Sequence, residues 1–117
     1  METGTHAKIL RIYVSSTDKI RHTAAYEAIV YMARQEGLAG ATVSKGFMGY
    51  GASHQLYSEK FWELSEKVPV VIEIVDESSK ISQFLDKIRS MLEQMPKGCL
   101  VTCQDTEIIL CKKGITH

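Results

Sequence analysis

A strand–helix–strand order that occurs twice is the feature that most constrains the fold of this 117-residue chain. The first unit runs from the alternating segment Ala7–Val14, through a helical stretch, to a period-two segment at 39–47. The second unit runs from the β-branched segment Val70–Val75, through a second helix, to one or two short strands near the C-terminus. Two split βαβ units of this kind most simply form one antiparallel sheet with both helices on the same face. The pattern therefore predicts an α+β, ferredoxin-like fold in a single domain spanning residues 1–117, with residues 1–6 as a tail.

Both helices are predicted from apolar residues that recur at steps of three and four. Thr23 is the expected N-cap of the first helix and Gly37 its stop, while Ser78 or Ser79 should cap the second and Pro96 with Gly98 should end it. The predicted buried stripes comprise Ala25, Ile29, Met32 and Ala33 in the first helix, and Ile81, Phe84, Leu85, Ile88, Met91, Leu92 and Met95 in the second.

The face of the sheet that the helices leave uncovered is predicted to be half apolar. If Leu10, Ile12 and Ile72 point toward the helices, strand alternation turns their neighbours the other way. Such a face is a poor solvent surface but suits a subunit interface, so an oligomer is expected. The residues expected on it are Ile9, Arg11, Tyr13, Val71, Glu73 and Val75.

Charge and composition bear on partners and location. The 14 basic and 14 acidic residues cancel, so no global field favours nucleic acid or an acidic membrane surface. No apolar run approaches the ~20 residues of a membrane span, and the N-terminus lacks a signal-peptide pattern. A cytoplasmic location is expected, and the three cysteines are expected to be reduced thiols.

A glycine-rich segment follows the second strand. Gly46, Gly49 and Gly51 lie within six residues and lead into a long polar tract. Without a Cβ, such backbone can adopt positive φ and approach a phosphate through its N–H groups. A flexible hairpin connection is the alternative interpretation, and the spacing is not that of a Walker loop.

Three stretches carry a resemblance to a known family. These are "ILRIYVSSTDK", "AAYEAIVYMARQEGLAGATV" with "KGFMGYGAS", and "KVPVVIEIVDE". Together they resemble the PII-like signalling proteins, and most closely the branch of that family found beside fluoride or ion transporters. The motifs span residues 9–75, and the remainder of the chain fits by layout alone.

The resemblance implies a homotrimer of ferredoxin-like subunits that binds an adenine nucleotide in the clefts between neighbours. It implies a non-enzymatic regulator that controls a protein partner, such as a transporter, through a flexible T-loop at Tyr50–Lys60. The short "MPKGC" loop favours AMP or ADP over ATP, and no metal is expected. The implied nucleotide-binding residues are Thr42, Gly46, Gly49, Gly51, Lys97, Gly98 and Lys112. Thr42 as an ordinary strand residue and Lys112 as a solvated tail residue remain open alternatives.

Two other functions stay open at this point. A small acylphosphatase-like enzyme would use a basic residue after the first strand, such as Arg21, to hold a phosphoryl group. A divalent-metal-tolerance trimer would need clustered histidine and carboxylate ligands. The four histidines show no ligand spacing with the cysteines, and packing is favoured over metal binding for Cys99 and Cys103.

Overall fold

The computed structural model describes residues 6–50, 57–58 and 67–115. In chain order the elements are β1 (His6–Ser15), β2 (Lys19–Ile20), β3 (Thr23–Ala24), α1 (Ala25–Gln35), β4 (Ala41–Lys45), β5 (Met48–Gly49), β6 (Tyr57–Ser58), β7 (Pro69–Glu77), α2 (Ser78–Gln94) and β8 (Leu100–Glu107). Most of the predicted T-loop lies outside the described residues.

The long strands form one antiparallel sheet in the order β4-β7-β1-β8. β1 is central and pairs with β7, where Ile12 faces Ile72, and with β8, where Ile12 faces Val101. β4 pairs with the outer edge of β7. This is the strand order of two split βαβ units, and the predicted ferredoxin-like α+β fold is confirmed.

The core lies between one face of this sheet and the two helices. Alternate residues of the two central strands are buried, as period-two patterning requires. The helices add Ile29 and Phe84, among others, and Phe84 is 1% exposed. Burial of such a side chain contributes about 1.5–3 kcal/mol. The buried cluster comprises Leu10, Ile12, Val14, Ile29, Ala33, Val70, Ile72, Ile74, Ile81, Phe84, Ile88 and Leu92.

The predicted helix starts are wrong, whereas the predicted ends are confirmed. Neither N-cap position, Ala24 or Glu77, makes a side-chain cap hydrogen bond, and Ser78 is already helical. Each helix continues directly from a strand, and the first amide of α1 donates to the Asp18 carbonyl at 2.7 Å. At the start of α1 a neighbouring backbone carbonyl thus takes the place of a capping side chain. Gly37 has φ +77°, as a C-terminal glycine stop requires.

The segment after β1 contains a tight β-hairpin that the sequence patterns do not predict. β2 and β3 pair so that Ile20 faces Thr23. Arg21 and His22 occupy the turn with φ of 50° and 72°. Two consecutive positive φ values define a type I′ turn, which glycine and asparagine normally supply. Because neither is present, turn chemistry gave no indication of the hairpin.

A buried carboxylate fixes the approach to β4. Asp76 is 1% exposed and lies at the end of β7. One oxygen accepts the Ala39 N–H at 2.9 Å and the other accepts the Glu77 N–H at 2.6 Å. Asp76 therefore ties the loop before β4 to the neighbouring strand.

Candidate functional site

A cavity of about 580 Å³ opens at the end of the sheet where β1 finishes and β7 begins. Four chain segments line it: residues 13–15, residues within 46–50, residues 69–71 and residues 98–100. The segments come from the ends of β1, β4, β7 and β8, which the antiparallel order brings to one edge. The volume is within the range of sites that hold small organic ligands.

Close backbone approach builds one wall of the cavity. The Gly46 N–H donates to the Pro69 carbonyl at 2.8 Å. A Cβ added at Gly46 would lie 2.9 Å from Pro69 Cγ, closer than two carbon atoms can pack. At Gly49 the same measurement to Pro69 Cγ gives 3.4 Å. Glycine is required at Gly46 because any side chain there would push the wall apart.

The cavity lining is apolar and aromatic. Tyr13 and Leu100 are direct cross-strand partners on the uncovered face of the sheet, and Met48 and Tyr50 also line the cavity. Each of these side chains is exposed, from 38% for Tyr13 to 69% for Tyr50. No lysine, arginine, aspartate or glutamate is among the described residues that line the cavity. Such a surface suits a flat, weakly polar group such as a heterocyclic base.

A hydrogen-bonded turn closes the cavity beside Ser15. Asp18 is 5% exposed, and its carboxylate accepts the Ser15 N–H at 2.8 Å. The Ser15 hydroxyl lies 3.0 Å from that of Thr17 and accepts the Thr17 N–H at 3.2 Å. The next residue, Ser16, exchanges backbone and hydroxyl bonds with Val68. The turn between β1 and β2 is thus fixed by its own side chains.

Cys99 also lines the cavity. Burial raises the pKa of its thiol, and the negative charge of Asp18 raises it further. Cys99 therefore stays a protonated thiol at neutral pH and is a poor nucleophile. Cys103 and Cys111 are exposed rather than packed.

The structure brings together some of the predicted nucleotide-binding residues and separates others. Gly46, Gly49 and Gly98 all line the cavity. Thr42 lies in the middle of β4 opposite Glu73, exposed on the uncovered face of the sheet and away from the cavity.

The two predicted cations are also outside the cavity. Lys97 directly precedes Gly98 but lines a separate hollow. Lys112 is exposed in the segment that follows β8. Gly51 lies outside the described residues.

Sequence patterns gave no indication of Tyr13, Tyr50, Pro69 or Leu100 as cavity residues. The strand alternation of Tyr13 predicts a place at a subunit interface, and Pro69 lies at the start of β7. Their convergence depends on the register of β1 with β7 and β8. A pairing prediction between the strands was the one signal that could have identified them.

The uncovered face of the sheet has the mixed character predicted for it. Ile9, Val71 and Val75 are partly exposed there. At its centre Arg11 and Glu73 are cross-strand partners and form a 2.8 Å ion pair. The guanidinium also donates to the Gln104 side chain at 3.1 Å.

Arg21, the basic residue of the acylphosphatase-like alternative, lies outside the cavity. It occupies the hairpin turn, against the end of α2. Within residues 6–50 and 67–115 no three His, Cys, Asp or Glu side chains are grouped to hold a metal ion. No helix in the described part of the chain is long and apolar enough to cross a membrane.

Comparison with solved structures identifies the fold. CPII of Thiomonas intermedia K12, a nitrogen regulatory PII-like protein bound to ADP, AMP and bicarbonate, superposes with a TM-score of 0.69 and 16% identity, covering 90% of each chain. A putative PII-like signalling protein of Thermus thermophilus gives a TM-score of 0.63 at 10% identity and covers 92% of this chain and 94% of its own. At these identities the likeness concerns the fold.

Comparison with sequences identifies the family. Residues 7–108 match the DUF190 family, described as "Uncharacterized ACR, COG1993". A UPF0166 protein of Aquifex aeolicus is 34% identical over 102 residues, covering 87% of this chain and 92% of its own. A UPF0166 protein of Methanocaldococcus jannaschii is 38% identical over 87 residues, covering 74% of this chain and 80% of its own. The chain therefore belongs to the DUF190 (UPF0166) family, and its fold is that of the PII-like proteins.

Proposed function

We propose that this protein is a non-enzymatic regulator that binds AMP or ADP in the cavity at the end of its sheet. The observation that carries the proposal is the convergence of Gly46, Gly49 and Gly98 on one aromatic cavity. Glycine backbone and aromatic rings together match the two halves of a nucleotide, a charged phosphate and a flat base.

The base would occupy the apolar part of the cavity. Tyr13 and Tyr50 supply aromatic faces, and Met48 and Leu100 supply polarisable and apolar contacts. Stacking of a base on an aromatic side chain contributes about 1–3 kcal/mol. The lack of a charged residue in the described lining suits the nucleoside rather than the phosphates.

The phosphates would lie toward Gly98. The Gly46 N–H is already donated to Pro69, so Gly46 acts by allowing close packing and not as a phosphate donor. Gly98 adjoins Lys97, a cation one residue away from the cavity lining. One lysine and a short loop are better matched to a mono- or diphosphate than to a triphosphate. The binding of ADP and AMP by the structural relative CPII supports this ligand class.

The site would be completed by a neighbouring copy in a homotrimer. Met48, Tyr50 and Leu100 are more than half exposed in the single chain, which is costly for large apolar groups beside one cavity. The mixed sheet face with the Arg11–Glu73 pair would meet its equivalents around the trimer axis. A protein partner, such as a transporter, would contact the segment Tyr50–Lys60, and its affinity would be coupled reciprocally to that of the nucleotide.

Calorimetry with adenosine, AMP, ADP and ATP, combined with native mass spectrometry of protein from its own cells, tests the proposal. We expect a trimer that retains or takes up AMP or ADP. Tyr50→Ala should weaken ADP binding about tenfold through lost stacking. Tyr31→Ala is the matched control, because Tyr31 is an exposed tyrosine on α1 outside the cavity. Absence of binding at millimolar nucleotide would refute the proposed function.

A further inference from the structure

A basic hollow is formed by chain segments that continue from two walls of the cavity, and it contains Lys97, which the proposed function places near the phosphates, together with two cations that the proposed function does not use. It is formed between the β2–β3 hairpin and the end of α2, in two adjoining depressions of about 280 and 200 Å³. Lys19, Met95 and Pro96 line both depressions, Arg21 lines the first and Lys97 the second. Three cationic side chains therefore face one surface concavity.

These cations have no carboxylate partner among the described residues. The ion pairs formed there are Arg11–Glu73, Lys87–Glu36 and Arg89–Glu93. The carboxylate that does line the hollow belongs to Asp18, which is 5% exposed and accepts the Ser15 N–H. Its hydrogen bond holds the turn, so the positive charge of the three cations exceeds the negative charge facing the hollow.

The backbone at the hairpin turn is held in an unfavourable conformation. Arg21 and His22 both have positive φ, a conformation in which histidine is enriched but which arginine adopts at a cost. Glycine or asparagine would serve this turn at lower cost. Strained backbone that persists at a ligand-facing residue is a reason to look for a binding role.

The simpler alternative is that these cations only neutralise the end of α2. The last turn of α2 carries no basic residue, and cations near the carbonyl end of a helix are favourable. That role accounts for one cation at the helix end. It does not account for three cations around a concavity, nor for an arginine in a left-handed conformation.

We infer that the hollow formed by Lys19, Arg21 and Lys97 binds an oxyanion of the phosphate class. Arginine presents a planar fork of donors that matches phosphate oxygens, and the two lysines add mobile point charges. The oxyanion is either free in solution or the phosphate end of the nucleotide whose base occupies the cavity. The inference goes beyond the proposed function, because a free oxyanion would bind whether or not a nucleotide does.

Titration of the full-length protein with sodium pyrophosphate at fixed ionic strength, followed by backbone amide NMR, tests the inference. We expect saturable shifts at residues 17–22 and 95–98, weakened about tenfold by Arg21→Gln and by Lys19→Gln. Lys80→Gln, at an exposed position near the start of α2, is the matched control and should leave the affinity unchanged. Unfolding midpoints of all variants separate lost binding from lost structure.

A second arm identifies the source of the oxyanion. If Arg21→Gln lowers the affinity for ADP but not for adenosine, the hollow holds the phosphate end of the nucleotide. If it lowers the affinity for pyrophosphate alone, the oxyanion is a free ligand. If no nucleotide binds, the proposed function fails and the pyrophosphate titration still decides the inference. Pyrophosphate shifts that are unsaturable or equal in Arg21→Gln, with no change in ADP affinity, would overturn it.

Discussion

Replacement of Gly46 by alanine tests the close packing that builds the cavity wall. The new Cβ would start 2.9 Å from Pro69 Cγ, whereas carbon atoms pack favourably at about 3.5–4.0 Å. The overlap cannot be relieved by a flexible side-chain end, because the Pro69 ring is rigid and the Gly46 N–H is bonded to the Pro69 carbonyl at 2.8 Å. Overpacking of this kind costs about 1–3 kcal/mol.

Other glycines in the chain provide graded controls for this substitution. Gly40 has nothing within 4 Å of an added Cβ and no positive φ, so Gly40→Ala should be neutral or stabilise by about 0.4–1 kcal/mol. Gly49 meets Pro69 Cγ at 3.4 Å, so Gly49→Ala should cost less than Gly46→Ala. Gly37→Ala has open space but φ +77°, and backbone strain alone should cost about 1 kcal/mol.

Thermal and urea unfolding at one fixed protein concentration measure these differences, because an oligomer's midpoint depends on concentration. At about 4 °C per kcal/mol, Gly46→Ala should lower the midpoint by about 4–12 °C. In a Pro69→Ala background the clashing Cγ is absent, and the nearest remaining Pro69 atoms lie at 3.7 and 3.8 Å. The cost of Gly46→Ala should then fall by about 1 kcal/mol or more. Equal stability of Gly46→Ala and Gly40→Ala, or an unchanged cost in the Pro69→Ala background, would refute the reasoning.

Three further predictions concern the buried carboxylate, the uncovered face and the cavity thiol. Asp76→Ala leaves the Ala39 and Glu77 N–H groups without their acceptor and should lower the free energy of unfolding by about 2–4 kcal/mol, measured in urea. Asp76→Asn should lower it less because one oxygen remains, and equal losses would contradict this. Arg11→Glu sets like charges opposite each other on the sheet face and should shift a trimer to smaller species in light scattering. The double variant Arg11→Glu with Glu73→Arg should restore the trimer, and an unchanged trimer in the single variant would exclude that face as the interface. Because burial raises the pKa of Cys99, its thiol should react with iodoacetamide more slowly than that of exposed Cys103. Saturating ADP should slow the reaction of Cys99 alone, and protection of Cys103 as well would argue against ligand binding in the cavity.

The fold could be predicted from sequence because its determinants are periodic and local. The stripe containing Ile81, Phe84 and Ile88 has the period of a helix, and β7 alternates buried and partly exposed residues along its whole length. Binary patterning of this strength fixes which face of each element is buried. The split βαβ order then leaves few ways to arrange the sheet.

The candidate site could be predicted only in part, since it depends on contacts between distant segments. The resemblance placed Gly46 and Gly98 at one site, but no local pattern indicated that Tyr13 and Leu100 become cross-strand partners beside them. The predicted cap at Thr23 is wrong because the first amide of α1 donates to the Asp18 carbonyl, and the predicted cap at Ser78 is wrong because Ser78 is already helical. The β2–β3 hairpin was missed because Arg21 and His22 occupy turn positions that glycine and asparagine normally fill.

The cavity and the basic hollow are lined by neighbouring parts of the same two chain segments, and this predicts how their ligands affect each other. In the first segment, residues 13–15 line the cavity and residues 17–19 line the hollow. In the second segment, residues 98–100 line the cavity and residues 95–97 line the hollow. Two separate ligands would order the same two segments, so pyrophosphate should raise the affinity for ADP by the factor by which ADP raises the affinity for pyrophosphate. One nucleotide that spans both sites would compete with pyrophosphate and leave adenosine binding unaffected or strengthened. Calorimetric titration of ADP at increasing pyrophosphate therefore distinguishes the two arrangements by the sign of the change in ADP affinity. No change in the affinity of either ligand would mean that the two segments do not couple the cavity to the hollow.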